Sequence, residues 1–180
     1  MSCIAQIDLT TEAFRKQFGS LTAEQLNWKP NESQWSIAQN IDHLIVINES
    51  YYPIFEKLRS GNLKTLFVGK VGFLVSLFGK LILKGVQPDR KQKMKTFPIW
   101  EPSKSEISGN ILERFEAHQT SLKDEIQSLS PYIEKRAVIF SPANNRIVYR
   151  LDTALDIIIS HEKRHLEQAR EVLALFNKQA

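Results

Sequence analysis

At 180 residues, with a formal net charge of +4, 42% apolar and 24% charged residues, seven glycines and seven prolines, the chain has the make-up of an ordinary globular protein. Collagen-like, disordered and disulfide-stapled architectures are excluded, and the length suffices to bury a core unaided. The one cysteine, Cys3, cannot form an internal disulfide, which fits a reducing compartment.

The opening stretch MSCIAQIDLTTEAFRKQ lacks the basic-then-apolar plan of a signal peptide, so a cytoplasmic location is expected. Cys3 falls in an N-terminus expected to fray, with no base nearby to make it a nucleophile. A first helix is predicted from Ala5 to Phe18, with Gly19 where a C-terminal cap belongs. Thr22 and Gln25 form a capping box for a short turn ending near Leu26. Trp28, Pro30 and Trp35 then punctuate a loop.

Ser36 and Gln39 form a second capping box. Ile37, Ile41, Leu44, Ile45, Asn48, Tyr51, Tyr52, Phe55 and Leu58 recur after it at helical spacing. Pro53 should kink this second helix, and Gly61 ends it. Residues 62–100 form a long connection. Within it LFVGKVGFLVSLFGKLIL is apolar on nearly every side of a helical wheel, which predicts burial as a helical hairpin, a lid over a pocket, or a dimer surface. Its lysines and charged flanks argue against a membrane span, and no membrane contact is expected. Lys80, Lys84, Arg90, Lys91, Lys93 and Lys95 lie close together with only Asp89 against them. Without aromatic interleaving or a nucleic-acid motif they read as a solvated loop. A third helix is predicted to begin at Ser103, with the stripe Ile107, Ile111, Phe115, His118, Leu122, Ile126 and Leu129, and to stop at Pro131. Residues 132–149 read as an irregular connection without convincing strands. The last helix is predicted from Thr153 to Asn177.

The histidines carry the chemistry. His161 and His165 stand four apart in HEKRH, so they stack on one helical face. At about 100° per residue, His165 shares an arc with Ile158, Ala169, Val172 and Phe176, and His161 lies near it. Both imidazoles therefore face inward, where polar groups need partners. A divalent ion would serve both, given a third ligand from another helix. By spacing that ligand is either His43, at the edge of the second helix's apolar face, or His118, on the stripe of the third. Three histidines with an open position is the arrangement of catalytic zinc. The string also matches the H-E-x-x-H metalloprotease pattern, but a helical chain offers no protease cleft around it.

QWSIAQNIDHLIVINESYY and ISHEKRHLEQ resemble the second and fourth helices of the DinB-like (DinB/YfiT-like) metal-dependent protein family. SLTAEQLNWKP and FPIWEPS are similar to the same family, so the likeness covers nearly the whole chain outside residues 62–96. The resemblance implies an all-α fold: a four-helix bundle of unusual connectivity, one domain over 1–180, with residues 62–100 as an insertion or lid between helices two and three. It implies His43, His161 and His165 as ligands of one divalent transition metal, usually zinc or nickel, with His118 as a core or pocket-lining residue. Members of known chemistry imply S-transfer from a low-molecular-weight thiol to a small electrophile. Metal-dependent hydrolysis and a non-catalytic, metal-stabilised binding or dimerisation module are the alternatives. A small-molecule substrate and a homodimer are expected, and nucleic acid is not. Gln168, one turn beyond His165, either orients a bound ligand or is a polar residue of the helix surface. Glu162 and Asp42 are candidates to hydrogen-bond the metal ligands from behind, but are expected to face solvent or to pair with a neighbouring lysine or arginine.

Overall fold

The computed structural model describes residues 2–89, 96–102 and 106–179. Helix α1, Cys3–Phe18, starts at Ser2, whose hydroxyl accepts the Ala5 N–H. Ile7, Phe14 and Phe18 line its buried side. Gly19 follows at φ −64°, so the helix ends without the left-handed cap that its glycine suggested. Helix α2, Ala23–Asn27, carries the Thr22–Gln25 capping box in full. The Asn27 amide then donates to the Ile107 carbonyl and accepts its N–H, which pins the strand of chain leading into the third long helix.

The Ser36–Gln39 box opens α3, Ile37–Glu49. In place of one kinked helix there are two, because Pro53 sits in the first turn of α4, Tyr52–Arg59. There its missing N–H would have had no helical partner anyway. Gly61 follows with φ +71°, a left-handed turn that a side chain would strain.

Where a helical hairpin, a lid or a dimer surface was expected, the apolar connection forms a single helix, α5, Gly72–Gly85, behind a 3-10 turn at Phe67–Lys70. It packs one face, centred on Val75 and Gly79, against the strand and long helix described below. Its other face, with Phe73, Leu77 and Leu81, is exposed. A Cβ at Gly79 would come within 2.9 Å of Thr153 Cγ2 and 3.4 Å of Tyr149 Cβ; glycine is what allows this approach.

The third long helix, α6, Ile111–Ser128, starts later than predicted. Ser103 lies outside the described residues, and residues 106–110 are not helical. The predicted stripe holds: Ile111, Phe115, His118, Leu122 and Ile126 are buried. Pro131 sits in the first turn of a short helix α7, Ser130–Glu134.

The expected irregular connection is corrected to a hairpin. β1, Val138–Ser141, pairs antiparallel with β2, Asn144–Arg150, with Ile139 opposite Tyr149 and Phe140 opposite Val148. The protein is therefore mostly helical rather than all-α. Helix α8, Leu151–Gln179, runs straight on from β2 and extends past both predicted ends. Among the described residues no helix is long and apolar enough to cross a membrane.

α1 packs on α6 and α8, and α3 packs on the same two helices. Phe14, Phe18, Leu44, Phe115, Leu166 and Val172 centre one buried cluster among them. Tyr51, Phe55, Ile139, Tyr149 and Leu155 centre a second, where the hairpin closes the other end. Large apolar side chains of this kind each contribute about 1.5–3 kcal/mol when fully buried. That burial is what holds α3 and α8 face to face.

Candidate metal centre

His43 lies on α3 one turn beyond Asn40, so the two share a face. His161 and His165 lie one turn apart on α8. Where the helices meet, Nε2 of His161 stands 3.4 Å from Nε2 of His43 and 3.1 Å from Nε2 of His165. One nitrogen from each ring lies within 4.8 Å of the others, a grouping that could hold a metal ion.

The outer nitrogens explain this orientation. Nδ1 of His43 is 2.6 Å from the Trp100 carbonyl oxygen, and Nδ1 of His165 is 2.8 Å from Oδ1 of Asn40. An oxygen that can only accept fixes the proton on each Nδ1, leaving both Nε2 lone pairs bare and aimed at His161. One proton on His161 Nε2 could serve only one of them. Trp35 stacks on His165, with centroids 5.8 Å apart and planes at 18°, and tilts against His43 at 4.8 Å. Trp100 is itself held by a 3.2 Å bond from its indole N–H to the Ser50 hydroxyl. These contacts limit ring rotation before any ligand arrives.

Burial lowers the pKa of His43, against a smaller opposing pull from the Trp100 carbonyl. Burial likewise holds His161 and His165 well below the usual imidazole range, reinforced by the neighbouring rings and the Arg164 cation. All three rings are thus neutral at pH 7, the form that ligates metals.

The group opens on a cavity of about 790 Å³ whose walls include Trp35, Ile82, Val86, Trp100, Arg164 and Gln168. Gln168 therefore sits where it can meet a ligand. The buried Arg164 guanidinium donates to the carbonyls of Gly85 (3.3 Å) and Gln87 (3.2 Å). A cation there suits the C-terminal end of α5 and ties that helix to α8 beside the histidines.

Glu162 corrects the sequence reading. It is fully buried, turned away from the cavity between α3 and α6. One oxygen accepts from the Asn48 amide (2.8 Å) and the Gln119 amide (2.9 Å). Burial pushes its carboxyl up to about 7, against the pull of those two bonds. A metalloprotease glutamate would face the metal-bound nucleophile; this one does not line the cavity. The α8 wheel alone could have found it, since at 100° per residue Glu162 falls between Leu155 and Ala169, both buried. Asp42 behaves as expected, paired with Arg114 at 3.5 Å.

His118 joins the Glu162 side of α8, not the three-histidine group. Its Nε2 lies 3.3 Å from the Asn48 amide nitrogen, and its ring stacks on Tyr52. Burial lowers its pKa to about 4. Cys3 is the first residue of the capped helix α1 rather than part of a frayed end, and burial raises its thiol to about 11, which makes it a poor nucleophile.

The sequence model of the DinB superfamily matches residues 6–169. The chain is also 29% identical over 154 residues to the uncharacterized protein YuaE of Bacillus subtilis (strain 168), covering 84% of this chain and 85% of that one. No solved structure matches it.

Proposed function

The chain belongs to the DinB superfamily, and from that premise we propose that it is a metal-dependent enzyme in which His43, His161 and His165 hold one divalent transition ion. In this reading α1, α3, α6 and α8 are the bundle of a single domain over 1–180, and residues 62–100 are an insertion whose α5 and Trp100 line the site. The observation that carries the proposal is the convergence of three neutral imidazole nitrogens, two with their outer N–H committed to fixed acceptors. Without an ion those lone pairs face one another; with one they are satisfied together. The donor set fits zinc or nickel.

Bound there, the ion would supply Lewis acidity that lowers the pKa of a thiol or a water. The chain's own residues do the rest. Trp100 and Asn40 keep the inner nitrogens deprotonated, and Trp35 keeps the rings in place. The apolar walls from Ile82 and Val86 accept a small electrophile and exclude water, and Gln168 orients the nucleophile. Transfer of a low-molecular-weight thiol to that electrophile is the reaction proposed. The roomy cavity favours turnover over a sealed structural site.

Metal analysis of the untagged protein should return about one ion per chain. His161→Ala should lose it, while His118→Ala should retain it; the reverse pattern overturns the ligand set. Thiol consumption by metal-loaded protein with a model electrophile tests the reaction. Turnover that needs water but no thiol would replace transfer with hydrolysis.

A further inference from the structure

Helix α5 shows solvent a face that its composition would ordinarily bury. Phe73, Leu77 and Leu81 are 74%, 38% and 57% exposed. Four residues apart, they line one side, while Val75 and Gly79 bear on β2 and α8 from the other. The preceding turn adds Leu66 and Phe67, also exposed. Lys80 and Lys84 are exposed and fall on the same arc as Phe73 and Leu77 at 100° per residue. Lys64 and Lys70 are exposed just before the helix. From residue 62 to residue 88 there are four lysines and no aspartate or glutamate.

Charge decides what this face suits. A second copy would set lysines against lysines with no carboxylate on the segment to meet them, an arrangement that opposes association. The helix has 14 residues, roughly 21 Å at 1.5 Å per residue, too short for a hydrocarbon layer of about 30 Å. The lysines that argue against a span instead suit phosphate headgroups, with their stems laid along apolar surface. We infer that the exposed face of α5 docks in the plane of an anionic bilayer surface, with Phe73, Leu77 and Leu81 between the headgroups and the lysines on lipid phosphates. This departs from the expectation of no membrane contact. Leu81 belongs both to this face and to the cavity wall, so docking sets the cavity beside the lipid.

The test is flotation of the full chain with vesicles of phosphatidylcholine alone, or with about 30% phosphatidylglycerol, an anionic content comparable to charged leaflets. Binding is expected only to the anionic vesicles, and salt should release it. Lys80→Ala with Lys84→Ala should weaken partitioning about 30-fold, and Phe73→Ser with Leu77→Ser should abolish it. Lys16→Ala with Lys178→Ala, on α1 and α8, should leave it unchanged. Circular dichroism of each variant checks folding, which exposed positions should preserve. No flotation, or equal flotation with both vesicles, overturns the inference. So does a dimer in sedimentation equilibrium that Phe73→Ser with Leu77→Ser dissolves while vesicles go unbound.

Discussion

Glu162→Gln is expected to stabilise the metal-stripped chain at alkaline pH and to do little in acid. Glu162 is fully buried, and its hydrogen-bond donors are two neutral amides, Asn48 and Gln119. Burial lifts its pKa from 4.5 to about 7. The folded chain therefore holds this proton more tightly than the unfolded chain. The associated stability is full below pH 4.5 and is lost as pH rises through 7. A shift of that size corresponds to about 3 kcal/mol. Glutamine keeps the shape and carries no charge. Its amide can also donate toward Asn48 Oδ1 and Gln119 Oε1, which are buried without a partner among the described residues. Urea denaturation after chelation, from about pH 5 to 8, should show the variant gaining on the parent by up to about 3 kcal/mol. A difference independent of pH, or one that shrinks as pH rises, would refute the reasoning. Under the proposed site, an ion on His161 would favour the carboxylate, so the gain should be smaller in metal-loaded protein.

His118 should act in the opposite direction: its folded pKa of about 4 lies below the ordinary 6.5, so stability present above pH 6.5 is lost as pH falls through 4. His118→Gln should remove about 3 kcal/mol of that acid slope, read as the difference between variant and parent in urea at pH 7 and pH 4. Tyr149→Phe should cost about 1–3 kcal/mol by stranding the buried Tyr51 hydroxyl, which bonds Tyr149 at 2.8 Å. Tyr51→Phe should cost less, since Tyr149 keeps its bond to Ser141, and paired thermal melts would show the order. Gly79→Leu should lift α5 from Thr153 and Tyr149, seen as faster amide exchange across residues 72–85 with most of α8 still protected.

The residues that matched their sequence reading did so for local reasons. A capping box needs only Ser36 and Gln39 three apart, and both partners appear in the structure. The inward stripe of α6 and the stacking of His161 on His165 follow from 3.6 residues per turn. The hairpin was missed because β1 is four residues long and its alternation of half-buried and buried positions is too short to register as a period of two. The apolar wheel of α5 predicted burial, but a wheel measures composition around an axis and not how many neighbours arrive. Glu162 was expected to face solvent or to pair with a neighbouring lysine or arginine. It is buried because it falls on the apolar arc of α8, beside Ile158 and Ala169, where α3 and α6 supply Asn48 and Gln119.

The histidines divide the same way. Spacing along one helix determined that His161 and His165 share an inward face, since i and i+4 are neighbours whatever the rest of the chain does. Spacing left His43 and His118 equal. Tertiary structure separated them, bringing His43 to His161 across 118 residues and to the Trp100 carbonyl across 57, while seating His118 against Asn48. Helical periodicity is a property of neighbouring residues. Which two faces meet is settled only when buried area, close approach and hydrogen-bond partners are satisfied together across the folded chain.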